Sequence, residues 1–289
     1  MNKCWCGSGL DYEVCHREFD KKINYYKKRG VMTPPISMIK NQQQIEGIKK
    51  AAVVNNGLLD HIEKNIKIGM STEDIDVLTR EYLKEHNAHS ADLNYEGYPK
   101  SICTSINDVV VHGIPSDNDV LDDGDIISID CGTLLDGYNG DSCYTFAVGD
   151  ISEQKRKLLE VTKKSLFLGI EQAVAGNHIG DIGFAIQDYC QSFGYGIVRE
   201  LTGHGIGKEM HEDPSVPNYG SKGNGILLKS GMCLAIEPMV TMGNRKIGML
   251  ADKWSIVTLD HKPAAHFEHT IVVRKGKAEI LSSFVEVEH

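Results

Sequence analysis

A single offset constrains the fold of this chain more than any other feature: moved by 107 residues, its first half falls on its second without a gap. Val54 lands on Val161, Leu59 on Leu166, Gly69 on Gly176, Asp74 on Asp181, Ile75 on Ile182 and Tyr82 on Tyr189. Further on, Val109 matches Val216, Gly113 Gly220, Leu121 Leu228, Gly124 Gly231 and Ile129 Ile236, and Asp130 falls on another acid, Glu237. Each copy opens with helical periodicity. Asn41 to Gln44 reads as a capping box, Ile45, Ile48, Ala52, Leu59, Ile62 and Ile66 form an apolar stripe that Gly69 ends, and Ser71 caps a second helix through Ile75, Leu78 and Tyr82. A second helical pair reads over roughly 153–175 and 179–193, and the offset lays it on the first. Residues 101–112 read as a strand ending at His112. The expectation is an α+β fold of two related halves, each two helices plus antiparallel strands, with a site where the strands meet.

The stretch Ile126 to Asp141 gives that site its first chemistry. Ile126, Ser128 and Asp130 alternate with Ile127, Ile129 and Cys131, and Asp136-Gly137 is a strong two-residue turn signal. With that turn, Asp141 lies opposite Gly132, on the same face as Asp130 and one diagonal step away. Two carboxylates that close need a shared proton or a metal, unless both are simply exposed hairpin acids.

Composition removes several classes of function. A net charge of -9 argues against a general nucleic-acid or specific DNA binder, which needs clustered Lys and Arg. No stretch reaches the roughly 18 apolar residues of a membrane span, and the N-terminus has no apolar leader, so a cytoplasmic protein is expected. Eight cysteines are too sparse for a disulfide scaffold in a chain this long, and Cys103, Cys131, Cys143, Cys190 and Cys233 sit in apolar contexts as reduced core residues.

The other three cysteines crowd the N-terminus as Cys4-Trp5-Cys6-Gly7-Ser8-Gly9 and Cys15-His16. Cys4, Cys6, Cys15 and His16 suit one tetrahedral structural zinc ion, whose binding would supply folding free energy to a segment too short for a core. This run resembles the SEC-C zinc motif found on the translocation motor SecA and several bacterial proteins, with His16 where many members carry a further Cys. The expected organisation is a zinc motif over 1–20, a linker over 21–37 and one large domain over 38–289. The basic, tyrosine-bearing run Asp20 to Arg29 reads as solvated linker or as a contact for RNA, and Pro34-Pro35 stiffens the chain before the large domain.

The second half adds Gly203-His204-Gly205-Ile206-Gly207, His211-Glu212-Asp213-Pro214, Ala235-Ile236-Glu237-Pro238 and His266-Phe267-Glu268-His269. The glycine run lacks the spacing of a dinucleotide loop, and its glycines read as clearing space around His204. Glu237 and Glu268 stand in apolar, strand-like settings where a carboxylate needs a partner. Two Asp, two Glu and one His suit a pair of divalent ions of intermediate hardness, Mn, Fe or Co. Such a centre lowers the pKa of a bridging water and clamps a hydrolytic displacement.

Asp130, Asp141, His204, Glu237 and Glu268, in that order, with GHGIG, HEDP, IEP and FEHT in place, resemble the metal set of the methionine aminopeptidases over roughly residues 38–275. The resemblance implies the pita-bread fold shared with aminopeptidase P and prolidase. It implies that Asp141 and Glu268 bridge two ions, that Asp130 holds one, and that His204 and Glu237 hold the other, Glu237 also carrying a proton for the bridging hydroxide. His112 and His211 match the family histidines that contact the scissile amide. Tyr95, Tyr98, Cys103 and Trp254 match positions lining the methionine pocket, and Met210 stands where Phe is common. The short interval from His204 to Glu237 matches the bacterial type I members, and the N-terminus leaves no room for the extra domain of aminopeptidase P or prolidase. The implied substrate is the N-terminal Met of nascent polypeptides with a small second residue. Alternatives are an X-Pro aminopeptidase, a non-catalytic pita-bread binder, and a zinc module that associates with ribosomes alongside the enzyme.

Overall fold

The structure, a computed structural model, describes residues 3–5 and 9–283. Two short helices, α1 (Tyr12–Cys15) and α2 (Arg17–Lys27), precede the large domain. There α3 (Gln42–Asn65) and α4 (Thr72–Glu85) lead through β1 (His89–Ser90), β2 (Cys103–Ile106) and β3 (Val109–Val111) to the long hairpin of β4 (Ile126–Leu135) and β5 (Tyr138–Ala147). The second half repeats the order with α5 (Glu153–Gln172), α6 (Ile179–Ser192), β6 (Gly196–Ile197), β7 (Gly203–Gly205), β8 (Glu212–Val216), β9 (Cys233–Ile236) and β10 (Met239–Thr241). It closes with β11 (Ile247–Met249), β12 (Ile256–Thr258), β13 (Ala264–His266), β14 (His269–Val272) and β15 (Glu279–Ile280). Among the described residues no helix is long and apolar enough to cross a membrane.

The 107-residue repeat is physical. α4 and α6 begin and end at matching positions, and β1 pairs with β4 (His89 opposite Leu134) in the register with which β6 pairs with β10 (Gly196 opposite Thr241). The Gly69 amide donates to the Leu121 carbonyl at 2.8 Å, and its counterpart Gly176 donates to Leu228 at 3.0 Å. Both glycines take positive φ, which explains why both copies keep glycine there. Asp74 and Asp181 each accept the backbone N–H three residues earlier, closing the N-termini of α4 and α6.

Sheet β1-β4-β2, with β5 on β4, forms the first half's floor, and β15-β14-β9-β7-β8 that of the second. α3 lies directly on the hairpin, close enough that a Cβ on Gly140 would strike the backbone of Ala51 and Ala52. Asn55 fixes the contact, donating to the Cys131 carbonyl at 2.7 Å and accepting from Thr133 Oγ1 at 2.6 Å. The halves join where β5 meets residues 268–270: Glu268 N–H donates to the Cys143 carbonyl (2.9 Å) and Thr270 Oγ1 to the Asp141 carbonyl (2.8 Å).

Three local expectations change. The single strand expected over 101–112 is broken at Asn107, whose φ is 51°, so β2 joins β4 while β3 joins β12 in another sheet. The stripe ended by Gly69 stops as helix at Asn65. The basic run continues helically from the N-terminal motif to Lys27, with Phe19 and Tyr26 packing on Lys229 Nζ of the large domain at 5.2 and 5.3 Å. An aromatic face that meets a lysine ammonium explains helix where charge alone suggested linker.

Candidate metal centre

Strand register brings the acids together. The turn at Asp136 (φ 51°) and Gly137 (φ 77°) closes the hairpin with Leu135 opposite Tyr138, so Asp141 faces Gly132. Asp130 on β4 pairs with Cys103 on β2. β7 supplies His204, the end of β9 supplies Glu237, and the bend between β13 and β14 supplies Glu268. Together with His112, His211, Tyr95, Tyr98, Cys103, Met210 and Trp254, these five residues line one cavity of about 400 Å³.

Inside it, His204 Nδ1 donates to the Gly205 carbonyl at 2.9 Å, which leaves the Nε2 lone pair for the cavity. That Nε2 stands 3.6 Å from Asp141 Oδ2 and 3.6 Å from Glu237 Oε1. Asp141, His204 and Glu268 each offer a donor atom within 4.8 Å of the others. Burial, reinforced by neighbouring carboxylates, pushes Asp130 up to about 6 and Asp141 and Glu268 well above the ordinary range. Burial alone raises Glu237 to about 8, while burial together with the neighbouring His211 drives His204 down to about 3. The glycines around His204 serve the sheet more than the imidazole. A Cβ on Gly203 would strike the Ala235 carbonyl, and one on Gly205 the Asp213 carbonyl.

Around the acids, His112 is held at φ 59°, a costly conformation for a side chain of that size. Burial pushes it down to about 4. His211 Nδ1 is 2.8 Å from the Tyr95 hydroxyl, and its ring stacks edge-on against His204. Tyr98 donates to the Gly113 carbonyl at 2.9 Å and meets the edge of Trp254. Met210 is accommodated because position 132 is glycine: a Cβ there would come 2.8 Å from its sulfur.

A model of metallopeptidase family M24 matches residues 46–275. The chain belongs to metallopeptidase family M24. A second model, the SEC-C motif, matches residues 2–18. The M24 region is 50% identical over 245 residues to the methionine aminopeptidase of Clostridium acetobutylicum, spanning 85% of this chain and 98% of that protein. The crystal structure of methionine aminopeptidase from Rickettsia prowazekii matches with a TM-score of 0.83 at 41% identity, covering 85% of this chain and 99% of that one. X-Pro aminopeptidase from Thermotoga maritima shares the fold, with a TM-score of 0.69 at 21% identity, and only 63% of its chain is covered. The fold is the pita-bread fold, in which the two related halves clasp one site.

The donor set suits the divalent metal ions of an M24 enzyme. Glu268 Oε1 is buried with no hydrogen-bond partner among the described residues, and four carboxylates converge with no Lys or Arg lining the cavity. Such a cluster is stable as protonated acids or around cations. Three further polar residues to which the sequence assigned no role reach this region. Asp92 and Glu96 line the cavity, and Asp92 accepts the Gly132 N–H at 2.9 Å. His266 Nε2 lies 3.5 Å from Glu237 Oε2. At the N-terminus, Cys4 Sγ and Cys15 Sγ each approach His16 Nδ1 to 3.1 Å, while Cys6 lies outside the described residues.

Proposed function

We propose that this M24 enzyme is a methionine aminopeptidase that removes the initiator methionine from nascent chains with a small second residue. The observation carrying this reading is one cavity in which the five acid and imidazole donors share walls with a pocket of Tyr95, Tyr98, Cys103, Met210 and Trp254. Aromatic rings and sulfur suit a thioether, and converging carboxylates favour the α-ammonium of a free N-terminus over an internal peptide. Asp130, Asp141, His204, Glu237 and Glu268 would hold two divalent ions, Mn, Fe or Co, which supply Lewis-acid polarisation and an acidified water.

The chain's own groups do the rest. Burial keeps His112 and His211 neutral at physiological pH, so each offers one N–H to the amide oxygen as negative charge develops there. The Tyr95 hydroxyl at His211 Nδ1 holds that ring with Nε2 available for the task. Glu237, raised to about 8 in the metal-free chain, is a carboxyl able to hold and return a proton near neutral pH.

Incubation of metal-loaded protein with Met-Ala-Ser and Ala-Pro peptides, before and after chelation, tests this. Chelation-sensitive release of Met from the first peptide alone is expected; an X-Pro aminopeptidase would cleave the second. No release from either, with metal bound, sinks both readings. The N-terminal motif adds a structural zinc on Cys4, Cys6, Cys15 and His16, a unit over residues 1–20 beside the catalytic domain over 38–289, and a means of association with ribosomes in the cytoplasm. A Cys4→Ser/Cys6→Ser variant is expected to lose one zinc equivalent while still cleaving tripeptides. Retention of that zinc would refute the site.

A further inference from the structure

His266 is a buried imidazole whose ring is not anchored by any hydrogen bond among the described residues. It is 1% exposed, and neither ring nitrogen has a hydrogen-bond partner among the described residues. Burying a ring without such partners is unfavourable, so packing alone does not account for an imidazole here. Yet its backbone is held firmly. The His266 N–H donates to Thr145 Oγ1 at 3.0 Å, the Thr145 hydroxyl lies 2.7 Å from the His266 carbonyl, and Ser128 Oγ stands 2.9 Å from that same Thr145 oxygen. Thr145 belongs to β5 of the first half, whereas His266 ends β13 and Glu237 follows β9, both of the second, so the clamp ties the His266 backbone across the join while its ring faces Glu237 within its own half. Its Nε2 faces Glu237 Oε2 at 3.5 Å, while the other oxygen, Oε1, faces His204. Asp130 and His112 are further titratable neighbours, and the Cys143 thiol donates to the His266 carbonyl at 3.4 Å.

We propose that His266 is a positioning residue: its Nε2–H holds Glu237 Oε2, so that Oε1 stays turned toward His204 and the reacting groups. The inference rests on the proposed role of Glu237 as ligand and proton carrier. A carboxylate that must bind a cation and carry a proton gains from a fixed rotamer, and partners of this kind change metal affinity or activity by roughly 10–100-fold when lost.

The test compares wild type, His266→Leu and His266→Gln for Met release from Met-Ala-Ser, Mn(II) affinity by calorimetric titration, and the unfolding temperature of the metal-free protein. The leucine variant is expected to lose roughly 10–100-fold in kcat with KM within about threefold, and to bind Mn(II) more weakly. Its metal-free unfolding temperature should stay within a few degrees of wild type, because the donor lost from Glu237 is offset by an apolar side chain in a buried position. Glutamine, which restores an N–H donor of similar reach, should recover most of the kcat. Unchanged kcat in the leucine variant, equal impairment in both variants, or an unfolding temperature that falls in both would overturn the proposal and make His266 a packing residue. Failure of the leucine variant to fold counts against it in the same way. If wild type releases no Met at all, the functional reading has failed, and the titration alone decides: a leucine variant that binds Mn(II) as wild type does overturns the positioning role, and one weakened about tenfold supports it.

Discussion

At the scale of residues, the site is a collection of groups held in protonation states that water would not allow. Asp141 and Glu268 are buried beside further carboxylates and are pushed well above the carboxylate range. The metal-free chain is therefore strained at the positions that a cation would relieve, and function and stability pull apart there. Asp141→Asn keeps shape and removes one acid. It is expected to reduce Met release and Mn(II) affinity by more than about 100-fold while leaving the metal-free unfolding temperature equal to or a few degrees above wild type. Scanning calorimetry with and without metal, beside a tripeptide assay, reads both; a variant that is merely less stable and still binds metal contradicts the assignment. Asp92 and Glu96 show where reading residues one at a time runs out. They sit in a turn whose Asn94, Glu96 and Gly97 all take positive φ, a conformation with no periodicity to announce it, and only tertiary packing turns their side chains toward the cavity.

Elements explain why so much else was legible. A period of two places Asp130 on a face, and an Asp-Gly turn fixes the partner register, so local chemistry sufficed to put Asp141 opposite Gly132. The fixed offset likewise carried the bounds of α6 and the paired acids, because each half solves the same packing problem with the same capping and the same glycines. Illegible were the break at Asn107 and the helix over the basic run, both decided by partners distant in sequence, β12 for one and Lys229 for the other. The hairpin makes a sharp test of the local argument. Gly137 has open space around it but φ 77°, so Gly137→Ala meets backbone strain and no clash. A loss of about 1–2 kcal/mol is expected, seen as a fall of a few degrees in unfolding temperature, with specific activity of the folded enzyme unchanged. Gly137→Asn, which tolerates positive φ better, should fall less; equal losses would mean that the turn does not dictate the register.

For the molecule as a whole, two sets of buried groups oppose each other as pH changes. His112 and His204 are depressed from 6.5 to about 4 and about 3, so the unfolded chain binds the extra proton between those values, and stability rises with pH up to about 6.5. The carboxyls run the other way. Asp130 is raised from 3.8 to about 6 and Glu237 from 4.5 to about 8, so the folded chain keeps protons that the unfolded chain has released, and this contribution, full below about 4, is lost as pH rises through about 6 and then about 8. Above 6.5 the histidines no longer change, and the carboxyls alone decide the slope. Metal-free protein is therefore expected to lose stability between about pH 6.5 and 8, at up to about 1.4 kcal/mol per pH unit for each proton still held. Metal-loaded protein binds through ionised carboxylates and has no such protons to surrender, so its unfolding temperature should stay level over the same interval. It also controls for the repulsion within a chain of net charge -9. Unfolding scans at pH 6.5 and 8 in chelator and in Mn(II) read the difference directly. A metal-free unfolding temperature that holds or climbs over that interval would show that the four acids do not share one buried, proton-holding cluster.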